Sequence, residues 1–296
     1  MKVLLIGCGM NGGAIAKSLL DKKIVNKVGL YSRTIKSSKA LAFDLHNSNV
    51  NVLEHLEDLK DFDYVIISLS GISDSDRIQS FNTNKTSYHV RQDELKYNLG
   101  AVAGLVPYLH FLPKSTPIIV VTNPVDEIVN YLRIALNRKN ILGFGMELDV
   151  RRYSGVLGKG VDCVGVHGMA VPVINASSNK EAEDLYKKSD LELMNYLRRN
   201  GIPHGAAGDA FAEFFRRLTS KSKEVVNACY YLDKKFYDIS GISISLPFIA
   251  TRGKIIGVSK VNLNSIEKKR FKKVAFQLKR SVQHILVTSK KLVAYK

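Results

Sequence analysis

The chain of 296 residues contains no tryptophan, only three cysteines, and far fewer acidic than basic side chains. Because Cys8, Cys163 and Cys229 are odd in number and far apart, they form neither a disulfide framework nor a zinc-ligand pattern. No apolar run is as long as a membrane span, and the N-terminus lacks a signal-peptide pattern. These absences predict a protein of the reducing cytoplasm, with no metal site and no membrane partner.

The shortage of acidic residues is greatest at the C-terminal end. The formal net charge is +17, and residues 252–296 hold 13 Lys and Arg against the single acid Glu267, a net +12. Apolar residues recur there at helical spacing, at Phe271, Val274, Leu278, Val282 and Ile285. We predict an amphipathic helix with a solvated basic face; a secondary affinity for polyanions or anionic lipid is the alternative. No nucleic-acid motif accompanies the charge, so no specific nucleic-acid partner is predicted.

A G-x-G-x-x-G pattern lies near the N-terminus, between an apolar run and an Ala-rich segment. In a strand–turn–helix, Gly7 makes the tight turn, Gly9 lets the backbone approach a pyrophosphate, and Gly12 lets the helix lie close to the strand. Met10 and Asn11 fall within the same G-x-G-x-x-G pattern and are candidate cofactor contacts. This context predicts a dinucleotide-binding site rather than a plain glycine-rich turn.

The first half of the chain alternates between strand and helix patterns. Two of its predicted strands, 64–70 and 118–122, are continuous apolar runs, which is typical of strands buried on both faces of a parallel sheet. We therefore predict an α/β protein with a doubly wound, Rossmann-type parallel sheet. The other predicted elements are strands 3–7 and 27–32 and helices 11–22, 36–46, 94–111 and 125–137.

The second half mixes helix and strand patterns, and residues 141–145 are interpreted as the crossing into it. The expected domains are a dinucleotide-binding domain, 1–143, and an α+β catalytic domain, 144–296. The polar segment 71–90 follows a predicted strand and is long for a loop, which favours a lid over the ligand site. The remaining predicted elements are helices 147–158, 180–199 and 206–230, strands 161–166 and 170–175, and a hairpin of 241–249 with 254–258.

Four further motifs follow in order along the chain. They are R-x-D-x-x-x-x-N at Arg91–Asn98, T-N-P-V-D at Thr122–Asp126, L-D-x-x-R at Leu148–Arg152, and His167-Gly168. With the glycine loop, this series resembles the lactate/malate dehydrogenase family over residues 3 to about 175. The resemblance implies reduction of a 2-oxo acid to an L-2-hydroxy acid with NAD(P)H, in a homodimer or homotetramer.

The same residues suit the chemistry of hydride transfer to a 2-oxo acid. His167 is the expected acid/base, and Asp149 orients its imidazole and stabilises the imidazolium. Arg152, three residues after Asp149, is expected to clamp the substrate carboxylate. Arg91 is expected to polarise the carbonyl once a lid closes over it. The resemblance places Asn123 near the nicotinamide. In the alternatives, His167 is an ordinary core histidine and Arg91 is a surface residue at the start of a helix.

The chain departs from the family pattern at the end of the second predicted strand. Ser32 stands where the family has an acid for the ribose hydroxyls, and Arg33 follows it. A carboxylate there repels a 2′-phosphate, whereas a hydroxyl followed by a guanidinium binds one. The predicted cofactor is therefore NADP in preference to NAD. In the alternative, Arg33 points into water and Ser32 still meets the ribose.

The lid is about ten residues longer than in ordinary members of the family. Counting back from Arg91 reaches Lys85, which would suit a second carboxylate, but the added residues make that alignment unsafe. The longer lid resembles the L-2-hydroxyisocaproate branch and favours a roomier pocket for branched 2-oxo acids. From the second lobe, His204 is a candidate substrate contact, although Pro203 replaces the family's Thr or Ser.

The sequence thus predicts a cytoplasmic NAD(P)-dependent L-2-hydroxyacid dehydrogenase. Two other functions stay open. One is a catalytically weak dinucleotide-binding protein whose basic surface serves a partner. The other is a nucleic-acid binder driven by the net charge, which would show steeply salt-dependent binding.

Overall fold

A computed structural model describes residues 1–73, 76, 79, 86–200 and 204–294. Strands and helices alternate through the first half, and a second group of strands precedes a long last helix. In chain order the described elements are β1 (Lys2–Ile6), α1 (Met10–Asp21), β2 (Lys27–Tyr31), α2 (Ile35–Leu45), β3 (Val50–Val52), a 3-10 helix (Leu56–Asp61), β4 (Tyr64–Ile67), α3 (Ser87–Leu109), β5 (Ile118–Val120), α4 (Val125–Leu136), β6 (Ile141–Gly143), α5 (Met146–Leu157), β7 (Cys163–Val164), β8 (Val171–Pro172), α6 (Asn179–Asn200), α7 (His204–Thr219), β9 (Glu224–Tyr231), β10 (Ser243–Thr251), β11 (Lys254–Val258) and α8 (Ser265–Ala294).

The first six strands form a parallel sheet in the order β3-β2-β1-β4-β5-β6. This is the order of a doubly wound dinucleotide-binding fold, in which ligands bind beyond the carboxyl ends of the strands. Every residue of β4 and β5 is buried, because helices cover both faces of the sheet. The predicted Rossmann-type sheet is confirmed.

The later strands extend the same sheet instead of forming a separate one. β9 pairs antiparallel with β6, where Gly143 lies opposite Cys229, and β10 and β11 follow as an antiparallel hairpin. The resulting nine-stranded sheet crosses the predicted domain boundary, while β7 and β8 pair separately. The hairpin was predicted correctly. The division at residue 143 stays a prediction.

Residues 141–145, predicted as the crossing between the two domains, contain strand β6. Two sequence interpretations are wrong in detail. The predicted helix 206–230 ends at Thr219, and its second half is strand β9, whose β-branched and aromatic residues favour a strand. Short edge strand β3 was missed, because three half-exposed residues carry little periodic signal.

The helix that follows the predicted lid begins earlier than expected. α3 starts at Ser87, where the Thr86 side chain accepts a hydrogen bond from the His89 N–H and caps the first turn. Residues 87–90 of the predicted lid are therefore helical. Residues 74, 75, 77, 78 and 80–85 of it lie outside the described part of the chain.

The basic C-terminal segment forms the long helix α8, as predicted. Its apolar stripe is buried against the core, and the helix packs on α3 and α4. Exposed basic side chains, including Lys269, Lys273 and Arg280, lie on its outer face. Among the described helices, none is both long enough and apolar enough to cross a membrane.

Candidate active site

A cavity of about 1100 Å³ opens at the carboxyl ends of β1, β2, β4 and β5. In open parallel sheets this is where ligands bind. Most of the residues predicted for cofactor and substrate line it. They are Gly7, Gly9, Met10, Asn11, Ser32, Arg33, Arg91, Asn123, Arg152 and His167. Gly12 and Asp149 lie behind the lining.

The glycine loop leaves room for the phosphates of a dinucleotide. Gly7 has a φ of +109°, and a Cβ there would strike the backbone of Ser68. A Cβ on Gly12 would strike the carbonyl oxygen of Gly7, so the helix and the turn touch directly. A Cβ on Gly9 would meet nothing within 4 Å, because Gly9 caps α1 and faces the cavity. The N–H groups of the first turn of α1 are therefore accessible to an anion, and the loop fits a pyrophosphate.

The end of β2 presents hydroxyl groups in place of a carboxylate. The Ser32 hydroxyl donates to the Thr34 carbonyl oxygen at 2.7 Å and lies 2.7 Å from the hydroxyl of the buried Ser38. Arg33 is exposed beside it and lines the cavity. This part of the site contains a cation and no acid at the position where the family has one.

His167 and Asp149 form a buried hydrogen-bonded pair. Asp149 is near the start of α5, and His167 lies in the turn between β7 and β8. Asp149 Oδ2 is 2.8 Å from His167 Nδ1 and accepts from the Gly168 N–H at 3.0 Å. Asp149 Oδ1 accepts from Arg152 Nη1 at 3.0 Å. Since an ionised carboxylate only accepts, Nδ1 carries the proton and Nε2 is left for a ligand.

The charges around this pair fix its protonation state. Burial alone would raise the pKa of Asp149, but His167, Arg152 and Arg91 hold that pKa well below its usual range. Burial lowers the pKa of His167 to about 4; Arg91 and Arg152 act in the same direction, and Asp149 opposes them. At neutral pH the ligand-free pair is therefore a neutral imidazole beside a carboxylate.

Arg91 reaches the histidine from the second turn of α3, three residues before the predicted start of that helix. Its side chain is buried, and Nη1 finds no hydrogen-bond acceptor among the described residues. Gly168 has a φ of +87°, and a Cβ there would lie 2.7 Å from this Nη1, so the guanidinium packs directly on the Gly168 backbone. Arg91 and Arg152 thus bring two guanidinium groups close to His167. A buried guanidinium nitrogen without an acceptor suits an anionic or carbonyl oxygen in this space.

Asp126, in the T-N-P-V-D motif, has a structural role that sequence reasoning missed. Its Oδ2 accepts from the backbone N–H of His167 at 2.9 Å, and its Oδ1 accepts from the Ser245 hydroxyl at 2.7 Å. Asp126 is fully buried, and burial raises its pKa to about 6. The sequence signal that could have identified this role is the position of Asp126, an acidic residue in the first turn of α4, which begins beside the site.

Asn98, the last residue of the first of the four motifs, holds two segments of the cavity wall. Its Nδ2 donates to the carbonyl oxygen of Asn123 at 2.7 Å, and its Oδ1 accepts from the Gly71 N–H at 2.6 Å. Asn98 therefore joins the start of the predicted lid to the segment after β5.

Some predicted positions cannot be placed in this site. Lys85 and Pro203 lie outside the described residues, as does the side chain of His204. Within the described residues, no group of three or more His, Cys, Asp or Glu side chains is arranged to hold a metal ion.

The doubly wound sheet and the His–Asp pair beside a dinucleotide loop define the class of a dehydrogenase that uses a nicotinamide dinucleotide. Two family models extend this result. Residues 1–140 match the lactate/malate dehydrogenase NAD binding domain, and residues 198–288 match the lactate/malate dehydrogenase alpha/beta C-terminal domain. The chain belongs to the lactate/malate dehydrogenase family.

Individual relatives are distant but similar over nearly their full length. Malate dehydrogenase 2 of Aquifex aeolicus is 25% identical, over 95% of this chain and 93% of the relative. L-lactate dehydrogenase 2 of Clostridium acetobutylicum is 25% identical, over 94% of this chain and 95% of the relative. Crystal structures of Plasmodium falciparum malate dehydrogenase, one in complex with NADH, have TM-scores of 0.80 and 0.78 at 17% identity. They cover 97% of this chain and 98% and 99% of those chains. Since relatives named for lactate and malate are equally identical, these likenesses leave the substrate side chain open.

Proposed function

We propose that this protein reduces a 2-oxo acid to the L-2-hydroxy acid with NAD(P)H and catalyses the reverse oxidation. The observation that carries the proposal is the Asp149–His167 pair between the guanidinium groups of Arg91 and Arg152, in the cavity that also holds the glycine loop. The L configuration of the product comes from the family resemblance.

In this proposal each charged side chain acts on one part of the substrate. Arg152 holds the carboxylate, and Arg91 donates to the carbonyl oxygen, on which negative charge develops. The glycine loop at Gly9 would hold the pyrophosphate of the dinucleotide and Asn123 would lie near its nicotinamide, which would supply the hydride to C2. The proton that completes the new hydroxyl comes from His167 Nε2, and Asp149 stabilises the imidazolium before that transfer.

Substrate binding has to protonate the histidine. In the ligand-free site the nearby arginines help to keep the pKa of His167 at about 4. A substrate carboxylate between them cancels part of their charge, which raises the pKa of His167. Binding of the 2-oxo acid is therefore accompanied by proton uptake.

The proposal includes a domain division, an assembly and a compartment. Residues 1–143 would bind the dinucleotide, and residues 144–296 would carry the acid/base and carboxylate-binding groups. A homodimer or homotetramer is supported by α2, of which only Ser38 is buried while Phe43 is 85% exposed. The three cysteines are free thiols, which suits the reducing cytoplasm.

We also propose that NADP(H) is preferred over NAD(H), because Ser32 and Arg33 can bind a 2′-phosphate. Ser32→Asp should shift the ratio of kcat/KM for NADH over NADPH by about tenfold or more toward NADH. The new carboxylate repels the 2′-phosphate and accepts from the ribose hydroxyls. The measurement is steady-state kinetics with both cofactors at one 2-oxo acid concentration.

Ser32→Ala is the matched control, since it removes the hydroxyl without adding charge. Its ratio should move far less than that of Ser32→Asp. If Ser32→Asp leaves the ratio unchanged, the cofactor preference is not set at this position.

For the substrate we propose monocarboxylic 2-oxo acids, including branched ones of the hydroxyisocaproate type. The support is the size of the cavity and the apolar side chains Val156 and Leu193 in its wall. Strict preference for oxaloacetate, or equal rates at every side-chain size, would contradict this part of the proposal.

The experiment that tests the function is cofactor oxidation followed by absorbance. NADPH and NADH are compared across 2-oxo acids from pyruvate to branched and dicarboxylic acids. Turnover establishes the reaction. The relative rates show which cofactor is preferred and which size of substrate side chain the cavity accepts. Binding of a cofactor without any turnover would favour a catalytically weak dinucleotide-binding protein instead.

A further inference from the structure

Two successive buried carboxyl groups begin α4 and face different parts of the site. Asp126 holds the backbone N–H of His167. Glu127, only 1% exposed, faces α3 instead, and its Oε1 accepts from Gln92 Nε2 at 2.6 Å. Gln92 directly follows Arg91 in the chain. The first turn of α4 therefore contacts both the turn that carries His167 and the helix that carries Arg91.

Glu127 lies where three helices meet. α8 packs on both α3 and α4, and the Ser281 hydroxyl of α8 is 3.4 Å from Glu127 Oε1. The other oxygen, Oε2, is buried and has no hydrogen-bond partner among the described residues. A buried carboxyl with one unpartnered oxygen costs stability, and an apolar side chain of similar size would avoid that cost. Packing alone therefore does not explain an acid at this position.

Within the described chain, the groups that bond to Glu127 or act on its charge are neutral or acidic. Gln92 and Tyr88 come from α3, Asp126 from α4, Ser281 from α8, and the thiol of Cys229 from β9. Burial, followed by the charge of Asp126, raises the pKa of Glu127 to about 7. No ion pair holds this carboxyl among the described residues, and its short hydrogen bond to Gln92 is its strongest contact.

Arg91 needs such support because Nη1, its atom against Gly168, has no acceptor of its own. The place of the guanidinium then depends on where the second turn of α3 lies. A 2.6 Å hydrogen bond from the next residue to α4 fixes that turn against the element that also fixes His167.

We propose that Glu127 is a positioning residue for the reaction, acting through Gln92 to hold Arg91 at the substrate carbonyl. The inference rests on the proposed function, in which Arg91 stabilises the charge that develops on the carbonyl oxygen. Because a misplaced donor of this kind weakens transition-state binding more than substrate binding, losing Glu127 should lower kcat and leave KM nearly unchanged.

The test is a double-mutant cycle with steady-state kinetics. In the wild-type background, Glu127→Leu should lower kcat about tenfold with KM for the 2-oxo acid within about twofold. Glu127→Gln should recover most of that loss, because its amide oxygen still accepts from Gln92. In an Arg91→Gln background, Glu127→Leu should cause almost no further loss, because the group it positions is gone.

Asn130→Leu is the matched control, one turn further along α4. Asn130 is equally buried, but it bonds to Ser243 of β10 and not to α3. It should lower the thermal midpoint without a loss of kcat that depends on Arg91. If Glu127→Leu fails to fold, Gln92→Leu removes the same bond and should give the same dependence on Arg91.

The outcomes separate this inference from the proposed function. Equal losses of kcat for Glu127→Leu in the wild-type and Arg91→Gln backgrounds would overturn the positioning role and leave the function intact. Failure of the wild-type protein to turn over any 2-oxo acid would overturn the function and, with it, the role of Arg91.

Discussion

His167→Asn is expected to lower kcat for 2-oxo acid reduction by about a thousandfold or more, while cofactor binding changes little. The reason is that His167 lines the cavity and is hydrogen-bonded to Asp149, and a positioned proton donor contributes about 10²- to 10⁴-fold. Asparagine is smaller than histidine and cannot carry a proton to the substrate. Steady-state rates, with cofactor affinity from fluorescence titration, measure the effect.

The pH dependence of the wild-type protein provides an independent test of the same assignment. Oxidation needs the neutral imidazole, and burial lowers the pKa of His167 to about 4. The kcat/KM for oxidation should therefore be level from about pH 5 to 8, since kcat/KM reports the free enzyme. Reduction needs the imidazolium, so its kcat/KM should fall about tenfold for each pH unit over that range. A break in the oxidation profile near the ordinary histidine value of about 6.5 would contradict the buried, arginine-flanked site.

The parallel half of the fold could be predicted because its signals are local. Strands β4 and β5 are continuous apolar runs, and the glycine loop marks the first strand–helix turn. The boundary between α7 and β9 was less visible, since apolar residues continue through both elements. Only the polar stretch Ser220–Lys223 separates a helical stripe from a strand there, and pairing with β10 decides the outcome.

In the site, too, contacts within one helix could be predicted from the sequence, whereas contacts between elements could not. Asp149 and Arg152 lie three residues apart on one helix, so their ion pair follows from helical spacing. The bonds from Asp126 to the His167 N–H and from Glu127 to Gln92 join elements 41 and 35 residues apart. No spacing in the sequence sets those distances, because they depend on how α3, α4 and the turn after β7 pack.

The extent of α3 shows why the helical position of Arg91 was missed. Polar residues on both sides of Thr86 conceal the start of the helix, and its cap is a single threonine side chain. The motif identified the residue correctly as a candidate, but only the structure places its guanidinium against Gly168. Motif spacing thus names candidate residues, while packing decides which element carries them.

Asp149→Asn is expected to lower kcat by about 10³- to 10⁴-fold, the size of effect seen when the carboxylate of a His–Asp pair becomes an amide. Asp149 accepts from His167 Nδ1, the Gly168 N–H and Arg152 Nη1. An amide nitrogen facing Nδ1 favours the wrong tautomer, and the charge that stabilises the imidazolium is lost. Arg152 also loses its acceptor, so KM for the 2-oxo acid should rise. Kinetics in both directions at one pH measure these changes.

The direction in which Asp149→Asn shifts the pH profile follows from the loss of the Asp149 carboxylate charge. Asp149 raises the pKa of His167 against burial and the two arginines, so its neutralisation moves that pKa below about 4. The level region of the oxidation profile should then extend to lower pH. At any one pH, and with unchanged affinities for both cofactor forms, kcat/KM has to fall equally in both directions, because the variant cannot change the equilibrium constant of the reaction. Asp162→Asn, at an exposed position after α5, is the control and should leave both rates unchanged. Activity of Asp149→Asn within about tenfold of wild type would mean that proton transfer does not depend on the His–Asp pair.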